Sequence, residues 1–365
     1  MQDMTANRQA QILEHFNIKG TPVEIRPLGN GLINDTFMVT TSDDSPYDYV
    51  LQRINHAIFK DVELLQHNIE AVTTHIRRKL EALGQEDIDR RVLQFVETQD
   101  GKTYYRTPEG DYWRVSVYIP RTQGFDEVTP ANAYDAGKAF GNFESMLTDL
   151  EEPLGETIPD FHNMTLRINQ MREAIAADKA GRLGEVKELV DSLMGYADEM
   201  CRADQLYEEG KLQKRICHCD TKVSNVLFDE NGGVLCVIDL DTTMPSFVFS
   251  DYGDFLRTAA NATAEDDPEI SHVSLKWDVI EQFTKGYIEG TDTFLTDLER
   301  TMLPFAMCLF PYMQCVRFLT DYLNGDTYYK IKYDKHNLDR SNNQYRLFQL
   351  TLEGRERLSN FINGL

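Results

Sequence analysis

The chain has 365 residues, 41% apolar and 27% charged, a composition that excludes intrinsic disorder and suits two domains or one large bilobal unit. Lys and Arg number 37 against 60 Asp and Glu, a formal charge of −23, which repels a phosphate backbone and argues against nucleic acid as a partner. The N-terminal MQDMTANRQAQILEHF lacks the basic start and apolar run of a signal peptide, no window reads as a membrane span, and six cysteines are too sparse for a disulfide framework, so a cytoplasmic chain with no membrane and no obligate protein partner is expected.

Residues 23–119 read mainly as short strands, VEIRPL, TFMVTT, YDYVLQRI, VLQFVET, TYYRT and YWRVSVYI, separated by Gly, Asn, Asp and Pro turns. One helix interrupts them: between Asp61 and Leu83, Val62, Leu65, Ile69, Val72, Ile76 and Leu80 recur at spacings of three and four. After Pro120 the pattern turns helical over 130–150, 163–180, 185–209, 274–289, 296–323 with a break at Pro311, and 341–361. Only NVLFD and VLCVID read as strands there. The expected class is α+β, with an N-terminal antiparallel sheet lobe over 1–120 and a mostly helical lobe over 121–365.

The stretch RICHCDTKVSNVLFDENGGVLCVIDLDT, 215–242, concentrates the chemistry. Cys217, His218 and Cys219 are consecutive, and neighbours on a strand point to opposite faces, so they do not make a zinc site. His218, Asp220 and Asn225 instead stand in H-x-D-x-x-x-x-N, the spacing of a phosphoryl-transfer loop in which Asp accepts the acceptor's hydroxyl proton and Asn reaches metal. Asp239, in VIDLD, follows on two short strands as a second, anionic metal ligand. Magnesium is a hard cation that wants such oxygen donors along with phosphate and water. Lys222 is spaced to approach the γ-phosphate as a point charge.

In LGNGLINDTF, Gly29 and Gly31 sit between two strands, where a missing Cβ lets backbone amides approach nucleotide phosphates. G101-K102-T103 imitates the end of a Walker A motif, but position 96 is Val where glycine is required, so it is a turn. In the third strand Gln52 stands where a protein kinase carries lysine, with Glu70 at the partner position on the helix.

HCDTKVSNVLF followed by VIDLDTTMPSFVFSDYGDFLR, with GNGLINDTF, YVLQRINHAIF, NIEAVT and CVRFLTDYLNGDTYYKIKYDKHNLDR, resembles the aminoglycoside phosphotransferase and choline kinase superfamily along essentially the whole chain, most closely its N-acetylhexosamine 1-kinase branch. The resemblance implies a bilobal protein-kinase-like fold using ATP and Mg2+ to phosphorylate the anomeric hydroxyl of N-acetylglucosamine or N-acetylgalactosamine. It assigns Asp220 as catalytic, Asn225 and Asp239 to metal, and Asp251 to bracing the catalytic loop beside His218. Gln52 becomes a family trait, and Arg317 and Tyr328 become sugar contacts. Leu32 replaces a sugar-contacting histidine of the family, which opens the sugar preference. The alternatives are a kinase of an aminoglycoside, choline or an amino acid such as homoserine, or a pseudokinase-like binding module.

Overall fold

Period-two burial in the first part of the chain produces an antiparallel sheet. Strands β1 (Pro22–Pro27), β2 (Asp35–Thr41), β3 (Tyr49–Ile54), β4 (Tyr105–Arg106) and β5 (Tyr112–Val117) assemble in the order β1-β2-β3-β5-β4. The computed structural model describes residues 2–29, 33–42 and 45–365, and these group into two compact units.

The first unit joins Met1–Gln123 to Asp149–Pro159 and Leu227–Met244. Val39, Leu51, Trp113 and Val115 fill one face of its sheet against Ile12, Leu13 and Phe16 from helix α1 (Gln2–Leu13) and the turn after it. Helix α2 (Val62–Ala82) is amphipathic as expected and is capped by Asp61, which accepts from the Leu64 amide. Short strands β6 (Thr122–Gln123), β8 (Val226–Asp229) and β9 (Val234–Val237) form a second sheet, in the order β6-β8-β9. VLQFVET, expected as a strand, contributes only isolated bridges at Phe95 and Thr98. The reason is competition for an edge: residues 94–96 bond to the far half of β5 while β4 occupies its near half.

The second unit is mainly helical: α3 (Pro130–Met146), α4 (Met164–Ala177), α5 (Leu183–Gly195), α6 (Ala197–Met200), α7 (Arg202–Glu208), α8 (Phe249–Ala259), α9 (Trp277–Thr291), α10 (Asp297–Asn324) and α11 (His336–Asn363). Strands β7 (Arg215–Cys217) and β10 (Met244–Ser246) pair. The helix expected over 185–209 is split at Tyr196 and Cys201, just past Gly195, whose backbone freedom weakens a helix. Helix α8 falls in a segment whose sequence reads first as a polar motif.

Helix α10 runs unbroken through Pro304 and Pro311, against the expected break. Proline costs a hydrogen bond locally, but neighbours pin the helix on both sides of Pro311. Tyr312 donates to the Leu193 carbonyl at 2.7 Å, and Phe310 packs where Gly253 of α8 leaves no Cβ. Helix α10 is also long and apolar enough to cross a membrane, yet 83% of its apolar window is buried inside the fold, as in a core helix.

Helices α3 and α9 cross at glycines. A Cβ on Gly286 would stand 2.0 Å from the Tyr134 carbonyl oxygen, and one on Gly137 would stand 2.3 Å from that of Phe283. Only hydrogen at these positions allows the approach, and the approach seats the end of α3 against Tyr287, whose hydroxyl donates to Glu144 at 2.8 Å.

Candidate active site

The segment His218–Asn225 is a loop held from below by one carboxylate. Asp251, fully buried on α8, accepts from the His218 amide at 2.8 Å and from the Cys219 amide at 2.7 Å, and its carbonyl takes the Thr221 hydroxyl at 2.7 Å. Cys219 adopts φ +62°, an uncommon conformation for a side chain with a Cβ that the two amide bonds stabilise. His218 accepts the Asp220 amide on Nδ1 at 3.3 Å, and its ring lies edge-on to Phe140 and Phe143 of α3. The loop therefore rests on α8 and α3 together.

Beneath it, Glu144, Cys217 and Asp251 bring their polar atoms within 4.8 Å of one another. Burial, with Asp251 adding to it, pushes the Glu144 carboxyl well above its ordinary range, which favours its protonated form opposite a carboxylate whose oxygens are engaged by amides. Burial likewise pushes the Cys217 and Cys219 thiols well above theirs.

Asp220 pairs with Lys222 at 2.6 Å, so the candidate base and the candidate phosphate-binding lysine meet directly. Asn225 donates from Nδ2 to the Asp220 carbonyl at 2.9 Å, which orients Oδ1 as the atom left for a ligand. Asp220 and Lys222 line a cavity of about 190 Å3 with Arg317, His162 and Tyr329. The Arg317 guanidinium lies 5.8 Å from the ring centres of both Phe161 and Tyr329. Burial first, then the Arg317, Arg167 and Arg257 charges, pulls the His162 imidazole down to about 3, and its Nδ1 is buried without a hydrogen bond among the described residues. Tyr328 is not in this cavity; it is 73% exposed and stacks edge-on against Tyr329.

In the first unit, Gln52 does not meet Glu70. Gln52 donates to Thr36 at 3.2 Å and accepts from Arg114 Nε at 2.9 Å, whereas Glu70 takes the hydroxyl of Thr103. The cation that Gln52 meets stands on β5 and is already paired. Arg114 faces Gln52 in register, bonds Gln66 on α2 at 3.3 Å and forms a buried ion pair with Asp241 at 2.6 Å, a charge contact rather than an aligned hydrogen bond. Asn34 donates to the other Asp241 oxygen at 2.7 Å. This separates the two aspartates of VIDLD. Asp241 is consumed in the network, while Asp239, at φ +60°, precedes it in a left-handed turn. Helix α2 steadies the segment through Asn68, which donates to the Thr243 carbonyl at 3.0 Å. Gly29 has φ +69°, as a glycine turn requires, and Gly31 and Leu32 lie outside the described residues.

The model of APH, the phosphotransferase enzyme family, matches residues 24–281. The chain belongs to this phosphotransferase family. Solved structures similar to the phosphotransferase include a spectinomycin phosphotransferase in complex with ADP and spectinomycin, at 14% identity over 95% of this chain and 98% of that one, TM-score 0.55. A choline/ethanolamine kinase family protein from Mesorhizobium loti matches at 14% over 98% and 99%, TM-score 0.57. An amicoumacin kinase, solved with AMP-PNP, Ca2+ and its antibiotic, matches at 14% over 98% and 93%, TM-score 0.56. At that identity the likeness establishes the kinase-like fold. Arg114, Glu144 and His162 are the site groups that sequence reasoning missed in this phosphotransferase. Arg114 had a detectable signal, because it falls opposite Gln52 once the two strands are paired; the other two had none.

Proposed function

We propose that the chain transfers the γ-phosphoryl group of ATP to a hydroxyl of a small molecule held beside Asp220. The observation that carries this reading is the loop itself: Asp220 opens onto a cavity with Lys222 and Arg317, on backbone tied down by Asp251. The acceptor oxygen forms a bond to the γ-phosphorus, the bond from that phosphorus to the bridging oxygen of ADP breaks, and the acceptor proton passes to Asp220. Lys222, swinging from Asp220, balances phosphoryl charge as the acceptor takes its place. Asn225 Oδ1 and the Asp239 carboxylate are hard oxygen donors that suit Mg2+, which when bound offsets phosphate charge. Gly29, Gly31 and Gln52 are assigned to the nucleotide, and Glu70 is assigned a supporting role through Thr103.

The comparisons support a small-alcohol kinase of the aminoglycoside or choline type more directly than any narrower activity. The cavity's chemistry narrows the acceptor. A quaternary ammonium needs open aromatic faces, and Arg317 already lies over Phe161 and Tyr329. A polycationic aminoglycoside needs unpaired acids, and Arg257 binds both Asp254, at 3.0 Å, and Glu265, at 2.9 Å. Both observations favour a neutral or anionic polyol, which agrees with the resemblance of the whole sequence to N-acetylhexosamine 1-kinases and with Arg317 and Tyr328 as sugar contacts. A cytoplasmic setting follows from the same reading.

The test is Mg-ATP-dependent transfer to N-acetylglucosamine, N-acetylgalactosamine, glucose, galactose, choline and kanamycin, with phosphorus NMR to locate the new phosphate. A 1-phosphate on the N-acetylated sugars is expected. Transfer only to choline or kanamycin overturns the sugar reading, and no transfer to any acceptor favours a binding module.

A further inference from the structure

A second cavity, of about 460 Å3, adjoins the one at Asp220 and shares Arg317 and Tyr329 with it. The Asp220 cavity, at about 190 Å3, is below the roughly 300–1,000 Å3 of most small-ligand sites, so it holds the reacting end of an acceptor and leaves the remainder to its neighbour. The neighbour's charge is unusual for this chain. Arg167, Arg317 and Lys179 line it, and none of the three forms an ion pair among the described residues, although the chain carries 60 acidic side chains.

Among the described residues Arg167 donates hydrogen bonds only to neutral groups: Gln170 at 3.0 Å and the carbonyls of Asp160 at 2.9 Å and Phe161 at 3.0 Å. Its Nε is buried with no acceptor among the described residues. Arg317 meets, among the described residues, only Gln314, at 3.2 Å, besides the two aromatic rings. The two guanidiniums repel: burial, then Arg317, lowers the Arg167 pKa. Two partly buried, like-charged groups facing one cavity are costly unless a ligand supplies the counter-charge.

Of the acids nearby, Asp160 offsets the Arg167 charge only in part, by less than Arg317 opposes it. Asp321 is consumed in shaping the wall, accepting from the amides of Thr327 and Tyr328 at 2.9 Å and of Tyr329 at 3.0 Å, and from Asn337 at 2.9 Å. Glu173 is exposed at the rim. The Asp321 bonds also fix the backbone that presents Tyr328, an exposed ring suited to a sugar face.

We propose that this second cavity binds an anionic oxyacid group, carboxylate or phosphate, carried by the acceptor, so that the preferred substrate is an acidic amino sugar. The inference rests on the acceptor cavity of the preceding reading and adds its distal half. Guanidinium groups select such oxyanions because their planar fork matches two oxygens at once.

Calorimetric titration of the full chain with N-acetylglucosamine, N-acetylmuramic acid and N-acetylglucosamine 6-phosphate tests it, the last two separating carboxylate from phosphate. At least one acidic sugar is expected to bind about tenfold tighter than the neutral one. That gain should vanish in Arg167→Met and shrink in Lys179→Met, while affinity for N-acetylglucosamine stays within about threefold. Equal affinity for all three sugars, or a gain that survives both substitutions, overturns the proposal. If no sugar binds, the amino-sugar reading falls alone, and titration with inorganic phosphate decides the anion site. Heat that is lost in Arg167→Met and reduced in Lys179→Met sustains the site, and heat that is absent or survives Arg167→Met overturns it.

Discussion

Asp220 is the residue on which the proposed chemistry turns, and its neighbours make the effect of removing it readable. Asp220→Asn keeps the shape of the loop, because the bonds that fix the loop are backbone bonds to Asp251 and His218. It is expected to lower kcat by roughly two to four orders of magnitude with little change in nucleotide affinity, as measured by single-turnover kinetics and nucleotide titration. Near-normal kcat in a folded protein would remove Asp220 from the mechanism. Arg114 is a different kind of residue. Arg114→Met leaves Asp241 charged and buried, which costs about 3–5 kcal/mol in comparable pairs; urea unfolding should show that loss, and adding Asp241→Asn should recover part of it. His162 sets an acid limit. Its folded pKa of about 3 lies below the unfolded value of about 6.5, so its contribution is complete above pH 6.5 and is lost as pH falls toward 3. Between pH 6.5 and 5, His162→Gln should flatten the dependence of stability on pH by up to about 1.4 kcal/mol per pH unit, trimmed because the ring is partly open to the cavity.

At the scale of elements, the crossing of α3 and α9 sets the floor beneath the catalytic loop. Gly286→Ala places a methyl against the Tyr134 carbonyl, and the helices must part by a fraction of their normal packing distance. Overpacking of this kind costs about 1–3 kcal/mol, seen as a lower Tm. Because α3 carries Phe140, Phe143 and Glu144, the same change should lower kcat more than it raises KM for nucleotide, and an unchanged kcat would separate the crossing from the site. The elements also show what was legible beforehand. Strands β2, β3 and β5 and helix α2 follow from their two-fold and 3.6-fold periods, and the catalytic loop was readable because its groups lie within eight residues of sequence, His218 to Asn225. The continuity of α10 was not, since a proline's local penalty is visible in sequence and the tertiary contacts of Phe310 and Tyr312 that offset it are not. The pairing of Arg114 with Asp241 was hidden for the same reason, as was the cavity between α4 and α10, where neither Arg167 nor Arg317 has a sequence signal for facing inward.

At the scale of the whole molecule, a charge of −23 opposes the approach of Mg-ATP, itself an anion. Screening relieves the repulsion, because the Debye length falls from about 30 Å at 0.01 M salt to about 8 Å at 0.15 M. KM for ATP is therefore expected to fall as ionic strength rises over that range, with KM for a neutral sugar unchanged; a rise would mean that local cations dominate the nucleotide's approach. The division into units has a consequence for synthesis. The first unit takes its third segment, Leu227–Met244, from far along the chain, so the strands of its sheet are translated well before the aspartate that neutralises Arg114. At about 5–20 residues per second, the wait between Arg114 and Asp241 lasts on the order of ten seconds. During that interval Arg114 is without Asp241, and the first unit is completed only after the whole His218–Asn225 loop has been translated.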